Sequence, residues 1–359
     1  MRLALKLAAR AGAQTRPNPN VGAVVVRRGR IVGRDFHRRA GQPHAEVLAL
    51  RQAGAAARGA TLYVTLEPCA HTGRTPPCVE SILKAGIRRV VAAMEDPNPK
   101  NRGKGLKQLR RAGVQARTGV LEREARRLNP AFITWMTRKR PFVTVKAAQS
   151  LDGKIATVRG ESRWISGGQA RRWTHRLRAQ VDAILIGVET VLKDDPRLTV
   201  RGAKAVRPPV RIVLDAFLRT PPGARLFSSA EPVWIAASIS ALRSREQKLR
   251  RRGAEVIRFP ARRGRVDLRS VLRYLAARDI AHLLIEGGGE TLASAFAAKA
   301  VDRAAFLIAP KIIGGKEAPT AVGGAGIPFL KDAVLLENLE MHPLGKDLLV
   351  TADVRFKKK

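Results

Sequence analysis

Only two cysteines, Cys69 and Cys78, occur in 359 residues, so a disulfide framework is excluded and at most one bridge could form. Aromatic residues make up 4% of the chain, too few for a base-stacking platform. Acidic residues are scarce beside basic ones: 29 Asp and Glu face 68 Lys and Arg, a net charge of +39. No apolar run approaches the roughly eighteen residues that a membrane span needs. Lys6 and Arg10 interrupt the apolar N-terminus and leave an amphipathic helix with Leu3 and Leu7 on one face, which argues against a signal peptide. A reduced, cytoplasmic setting is the expectation, with no membrane partner. Walker A and Rossmann Gly-x-Gly-x-x-Gly patterns are both missing, as is any repeat of solenoid period.

The positive charge would suit RNA, a membrane surface or a phosphorylated substrate. It is spread along the chain, with short clusters at 138–140, 250–252 and 357–359, so it reads as a solvated basic surface and no specific nucleic acid is expected. The length suits two domains, each with its own core. Strand-like runs at 21–26, 61–66 and 89–93 alternate with helical patterns at 44–53, 79–85 and 104–111. The second half repeats the alternation, with strands near 183–186, 210–214, 233–237, 282–285 and 303–309. Its ending, 335–354, suits a hairpin at a sheet edge. The composition shift around Pro141 divides the chain into a domain at 1–120, a helical linker at 121–141 and a domain at 142–359, both domains of α/β class.

His44-Ala45-Glu46, Glu67-Pro68-Cys69 and Pro76-Pro77-Cys78 follow one another in the first half. One His and two Cys are three zinc ligands, which leave a fourth position open for water. Glu46, two residues past the His at a helix start, is placed to take that water's proton and return it to a leaving amine. Cys78 opens a helical pattern, whose positive end would favour its thiolate. Taken singly, the His is an ordinary helix-start residue and the cysteines are ordinary buried fillers. The ordered set of three favours the metal.

Together with 15–24 (TRPNPNVGAV), 66–78 (LEPCAHTGRTPPC) and Asp96-Pro97-Asn98-Pro99, these motifs resemble the deaminase domain of the bifunctional deaminase/reductases of riboflavin biosynthesis. The resemblance implies a cytidine-deaminase-like three-layer fold, Zn2+, and removal of an amine from 2,5-diamino-6-ribosylamino-4(3H)-pyrimidinone 5′-phosphate, a phosphorylated small molecule. By the same resemblance Arg74 contacts the phosphate, Asp96 and Asn98 the ribose, and Asn18 the base, with His71 in the same substrate loop. As residues alone, Asp-Pro-Asn-Pro is also a plain turn signal. Eight residues separate the cysteines, where deaminases of nucleic acids and nucleosides carry Cys-x-x-Cys. In place of the family's Gly-x-Gly-x-His, this chain has Gly33-Arg34-Asp35-Phe36-His37.

The second half carries a buried-strand pattern, 141–156 (PFVTVKAAQSLDGKIA), that encloses Lys146, and hydroxyls, acids and arginines crowd 190–201. Gly287, Gly288 and Gly289 stand between a strand and a helix, where main-chain N–H groups can approach a pyrophosphate. These segments, with 314–320, resemble the reductase domain of the same family. That implies a dihydrofolate-reductase-like α/β fold and hydride transfer from NADPH to the ribose C1′, giving 5-amino-6-(5-phosphoribitylamino)uracil. By the resemblance, Ala148, Trp164, Thr190, Asp194 and the three glycines contact the nucleotide. Lys146, Ser162, Arg178, Arg197, Leu198, Arg201 and Glu286 surround the substrate, and each arginine could equally be a solvated surface charge. A homo-oligomer is expected, although no residue pattern fixes it. Two other readings stay open: a zinc deaminase of RNA or nucleosides with a recruiting second half, and a chain in which one half is only a scaffold.

Overall fold

The structure is a computed structural model that describes every residue except Arg74, Lys204, Val206, Lys358 and Lys359. It divides into two compact units, Met1–Arg140 and Pro141–Lys359.

In the first unit the order is α1 (Arg2–Ala9), β1 (Gly22–Arg27), β2 (Arg30–Phe36), α2 (Ala45–Ala53), β3 (Thr61–Val64), α3 (Cys78–Lys84), β4 (Arg89–Ala92), α4 (Lys104–Arg111), β5 (Gln115–Arg117), α5 (Glu122–Leu128) and α6 (Pro130–Arg138). The sheet runs β2-β1-β3-β4-β5, with β1 antiparallel to both neighbours and β3, β4 and β5 parallel. Alternate residues of the strands serve opposite faces. Ala23, Val25, Leu62, Val64 and Val90 meet Ala49 of α2, Ile82 of α3 and Leu109 of α4 on one side. On the other side Val24 meets Ala4 and Leu7 of α1. This is the expected three-layer arrangement. A Cβ at Gly33 of β2 would stand 2.2 Å from the Ala49 carbonyl oxygen, so α2 lies directly on the strand backbone.

The stretch 121–141, expected as a linker, belongs to the first unit as far as Arg140. Ala125 is fully buried in that unit's core. The Asn129 side chain accepts the Asn20 N–H at 2.7 Å and donates to the Asn20 carbonyl at 2.9 Å, which ties α5 and α6 to the segment before β1.

The second unit contains β6 (Phe142–Ser150), α7 (Gly168–Ala179), β7 (Ala183–Gly187), α8 (Val188–Asp194), β8 (Val210–Leu214), β9 (Val233–Ser238), α9 (Arg243–Arg251), β10 (Ala254–Phe259), the short β11 (Ala261–Arg262) and β12 (Arg265–Val266), α10 (Leu268–Ala277), β13 (His282–Glu286), α11 (Gly289–Ala297), β14 (Arg303–Ala309), β15 (Leu335–Leu344) and β16 (Asp347–Arg355). Its nine-stranded sheet has the order β10-β9-β8-β7-β13-β6-β14-β16-β15, parallel from β10 to β14. The terminal hairpin closes one edge antiparallel, as its alternation suggested. β7 is buried along Ala183, Ile184, Leu185 and Ile186, as a parallel strand covered on both faces must be. Leu185, Leu283 and Ile285 pack with α10 and α11, and Ile184, Ile186 and Leu284 pack with α8 and α9. The β6–β13 register sets Lys146 directly beside Glu286 in the middle of the sheet.

Candidate functional site

Pro43 and the extended backbone of His44 start α2, so His44 caps the helix and Glu46 falls in its first turn. Pro77 does the same for α3 and puts Cys78 at its first position. His44 Nδ1 lies 3.1 Å from Cys78 Sγ and 3.6 Å from Cys69 Sγ. The three ligand atoms all lie within 4.8 Å of one another. Beside them Glu46 is 4% exposed, and its Oε2 has no hydrogen-bond partner among the described residues. Burial pushes the Glu46 carboxyl up.

The Cys78 N–H at the start of α3 donates to Cys69 Sγ at 3.2 Å. The helix end therefore stabilises Cys69 as thiolate, not Cys78 as the sequence suggested. Hydrogen bonding from Cys78, with help from His44, pulls the Cys69 thiol down to about 4, while the neighbouring Cys69 and burial push Cys78 up. The Thr75 hydroxyl lies 3.2 Å from His44 Nε2, so it holds the ring's other nitrogen.

Asn18 Nδ2 lies 3.2 Å from His37 Nε2, and His37 Nδ1 lies 3.2 Å from the Pro43 carbonyl. His37 is 2% exposed, its ring is edge-on to His44 with centroids 5.2 Å apart, and burial lowers its pKa. A neutral His37 thus donates to Pro43 and accepts from Asn18. Asp96 accepts the Asn98 N–H at 2.8 Å and the Asn101 side-chain amide at 3.1 Å; burial raises its pKa to about 6. Asn98 accepts the Lys100 N–H at 3.1 Å. Both therefore also fold their own loop. His71 is half-buried, and its Nδ1 has no partner among the described residues; Arg74 lies outside them.

Sequence reasoning passed over Glu67 as a functional group. Its buried carboxylate accepts the N–H groups of Asp96 at 3.0 Å, Gly103 at 2.9 Å and Leu106 at 3.1 Å. One side chain, two residues before Cys69, thereby shapes the loop that presents Asp96 and Asn98. Its place in Leu-Glu-Pro-Cys was the only available signal.

In the second unit a cavity of 1290 Å³ opens over the C-terminal ends of the parallel strands. Lys146, Arg178 and Glu286 line it, and Glu286 takes two hydrogen bonds from Arg178, at 2.7 and 2.9 Å. Lys146 Nζ stands 3.9 Å from Glu286 Oε2. Burial would raise the Glu286 carboxyl, but Arg178 and then Lys146 outweigh it and hold the group at about 2. Burial and the neighbouring Arg178 lower the Lys146 ammonium pKa, against the pull of Glu286.

Ala148, Ser162, Thr190, Asp194 and Leu198 also line the cavity, as do Gly287, Gly288 and Gly289. The Ser162 hydroxyl donates to Asp194 at 3.2 Å, and the Gly288 N–H donates to the Thr190 hydroxyl at 3.3 Å. A Cβ at Gly289 would meet the Thr320 carbonyl oxygen at 2.3 Å, so the turn needs glycine for close approach. Three expected contacts lie outside the lining. Trp164 is 64% exposed, with the Arg171 guanidinium stacked 4.5 Å from its centroid. Arg197 is exposed, and its carbonyl accepts from Arg211. Arg201 is exposed, and its N–H donates to His175 Nδ1 at 3.2 Å.

The RibD C-terminal domain family matches residues 141–350, and the cytidine and deoxycytidylate deaminase zinc-binding region matches residues 1–94. The riboflavin biosynthesis protein RibD of Aquifex aeolicus is 45% identical over 350 residues, covering 98% of this chain and 96% of that protein. This chain belongs to the bifunctional deaminase/reductase family of riboflavin biosynthesis. RibD of Escherichia coli is 41% identical, with 97% and 96% covered. The solved structure of Acinetobacter baumannii RibD superposes with a TM-score of 0.89 at 36% identity, covering 99% of this chain and 97% of that one. The deaminase/reductase of Thermotoga maritima gives 0.82 at 36%, covering 98% and 97%.

The family's cofactors are Zn2+ and NADPH, and the residues present fit both. A tetrahedral zinc site with a nitrogen at 2.0–2.1 Å and a sulfur at 2.3 Å has N···S edges of about 3.6 Å. The His44 edges of 3.1 and 3.6 Å are close to that. Glu46, in the first turn of the helix that starts at His44, brings a buried carboxyl oxygen that has no hydrogen-bond partner among the described residues. For NADPH, the cavity lies at the parallel strand ends, and three glycines lead into the N-terminus of α11.

Proposed function

We propose that the first unit deaminates 2,5-diamino-6-ribosylamino-4(3H)-pyrimidinone 5′-phosphate and that the second reduces the ribosyl chain of the product, giving 5-amino-6-(5-phosphoribitylamino)uracil. The observation that carries this reading is the triangle of His44, Cys69 and Cys78 beside a buried, unpartnered Glu46 oxygen, on the same chain as the Lys146–Glu286–Arg178 cluster.

His44 through Nδ1, with Cys69 and Cys78, would hold zinc, which when bound makes a water proton acidic near neutral pH. Glu46 Oε2 takes a proton and hands it to the departing amine. Thr75 fixes the His44 ring, and Asn18, itself held by His37, reads the pyrimidine edge. Asp96 and Asn98 take the ribose hydroxyls, with His71 and Arg74 at the phosphate.

In the second unit Ala148, Thr190, Asp194 and the glycine turn would hold the nucleotide, with Trp164 beside them, and NADPH when bound would supply the hydride. Arg178 clamps Glu286, and Glu286 in turn holds Lys146 against the reacting ribose, where its ammonium polarises C1′ for hydride transfer. Ser162, Leu198 and the exposed Arg197 and Arg201 complete the ribose and phosphate side. The test is product analysis: with the diaminopyrimidine substrate alone the protein should release the deaminated ribosyl compound, and with NADPH added, the ribityl compound. Ribityl diaminopyrimidine without deamination would overturn the order.

We further infer a homo-oligomer assembled through β15, whose residues 335–343 are all exposed at the sheet edge and include Leu335, Leu336, Leu339 and Met341. Sedimentation of Leu339→Lys against the unaltered protein tests this. No described helix is long and apolar enough to cross a membrane. Two cysteines required as reduced ligands suit the cytoplasm. Binding to RNA should be non-specific and vanish at modest salt, as counterion release dictates.

A further inference from the structure

The cavity of the second unit continues past the glycine turn to residues that the reaction does not use. Phe217, half exposed, Arg219, and the turn between β11 and β12 line that far end. Sheet order fixes the direction: β6 carries Lys146, β13 leads into the glycines, and β8, which precedes Phe217, lies two strands further. At about 4.8 Å per strand the two ends stand about 14 Å apart. If the hydride-bearing ring sits at Lys146 and the pyrophosphate at the glycine turn, the adenosine half of the cofactor extends toward this end. That much rests on the cofactor site proposed above.

Three arginines are gathered there, and two are engaged. Arg219 is paired with Glu189, and Arg265 donates to Glu290 at 2.7 Å. Arg263 has no hydrogen bond or ion pair among the described residues. It occupies a left-handed backbone conformation, φ 48°, followed by Gly264 at 71°, the pair of positive angles that a two-residue hairpin turn demands. Asparagine or glycine suits the first of those positions, so the turn itself does not select arginine. Gly264 has a second effect: a Cβ there would stand 3.3 Å from the Phe217 ring, so its absence lets the hairpin rest on that ring and brings Arg263 beside it.

An acid at a strand end that accepts ribose hydroxyls marks an NADH site, whereas a nearby arginine accommodates a 2′-phosphate. The acid here, Asp215, is fully buried, and its Oδ2 accepts the Thr220 N–H and hydroxyl at 2.7 and 2.8 Å. Its Oδ1 has no partner among the described residues and Asp215 lines the cavity, so it is open to a ribose hydroxyl that both dinucleotides share, and a cation for the 2′-phosphate is what would separate them. Lys193 and Lys316 also line the cavity; Lys193 adjoins the Asp194–Ser162 pair and Lys316 follows Gly315, which abuts Val158.

We propose that Arg263, at the tip of the β11–β12 hairpin, binds the 2′-phosphate of the cofactor and sets the preference for NADPH over NADH. The test is calorimetric titration of the full-length protein with NADPH, NADH, adenosine 2′,5′-bisphosphate and AMP. One charge-assisted contact to phosphate corresponds to about 10- to 100-fold in affinity. Arg263→Gln should therefore weaken NADPH and the bisphosphate by that factor and leave NADH and AMP unchanged, while Arg263→Lys recovers part of the loss. An unchanged NADPH/NADH ratio, or equal loss of both dinucleotides, overturns the assignment. Gly288→Glu separates the two levels of the argument: loss of both dinucleotides in a protein with unaltered circular dichroism supports the cavity as the cofactor site. Undiminished binding would remove that reading and this one with it.

Discussion

Replacing Glu67 with glutamine exchanges one oxygen for an NH2 group and leaves shape and volume nearly intact. The carboxylate accepts three main-chain N–H groups, two on Oε2 and one on Oε1. Glutamine has one acceptor oxygen, so its better orientation keeps Asp96 and Gly103 and turns an amine toward the Leu106 N–H. One hydrogen bond to a charged group is lost, about 1.5–3 kcal/mol, and a buried N–H is left unpaired at about 1–3 kcal/mol more. The two surviving bonds fall to roughly half strength as the charge disappears. The loop around Asp96 should therefore open more easily by about 3 kcal/mol or more. Amide hydrogen exchange read by peptide mass should show roughly a hundredfold loss of protection over 96–106 in Glu67→Gln, with β1 and β3 unaffected. The deaminase KM should rise while zinc content stays at one per chain. Protection equal to the unaltered protein would refute the claim that this carboxylate holds the loop.

Four further outcomes are expected. Glu46→Gln should abolish deamination, retain zinc, and leave NADPH oxidation on supplied deaminated substrate intact, measured by absorbance of the two products; joint loss in a folded variant would contradict separate sites. Thr75→Val should weaken zinc binding about 10- to 100-fold in a chelator competition, the usual effect of removing a group that orients a ligand. Glu286 has a folded-state pKa of about 2, below its ordinary 4.5, so it contributes stability above pH 4.5 that is lost as pH falls toward 2. Urea unfolding of Glu286→Gln should accordingly be flatter with pH across that window. Gly289→Ala would set a methyl 2.3 Å from the Thr320 oxygen and should raise the KM for NADPH by tenfold or more, at a stability cost of about 1–3 kcal/mol.

The cluster of His44, Cys69 and Cys78 was legible because His-x-Glu and the two Pro-Cys pairs are local chemistry, and each proline starts the helix or turn that aims its neighbour. Lys146 was legible as an anomaly, a charged residue in a buried-strand pattern, and Glu286 only through the family resemblance; that they face each other is a matter of β6–β13 register, which no local pattern encodes. β2 and β10 escaped because their burial does not alternate cleanly: in β2 only Gly33 is buried. The linker expected at 121–141 escaped for a similar reason, since Asn129 does its work through a partner 109 residues away. Glu67 and Thr75 act on other protein atoms, and composition carries no sign of that. Trp164, Arg197 and Arg201 lie in loops whose path follows tertiary contacts, so residue type alone could not say which of them line the cavity.

Gly33 touches no ligand and carries no chemistry, yet it works as a spacer of zero thickness under α2. The helix that begins at His44 is seated on bare strand backbone, so its height above the sheet is set by the absence of a methyl. Any side chain there would act as a shim, lifting the imidazole away from two sulfurs that belong to other segments. Tolerance at the metal is thus written into a position one strand below it, where a mutational scan guided by distance to the active site would not look.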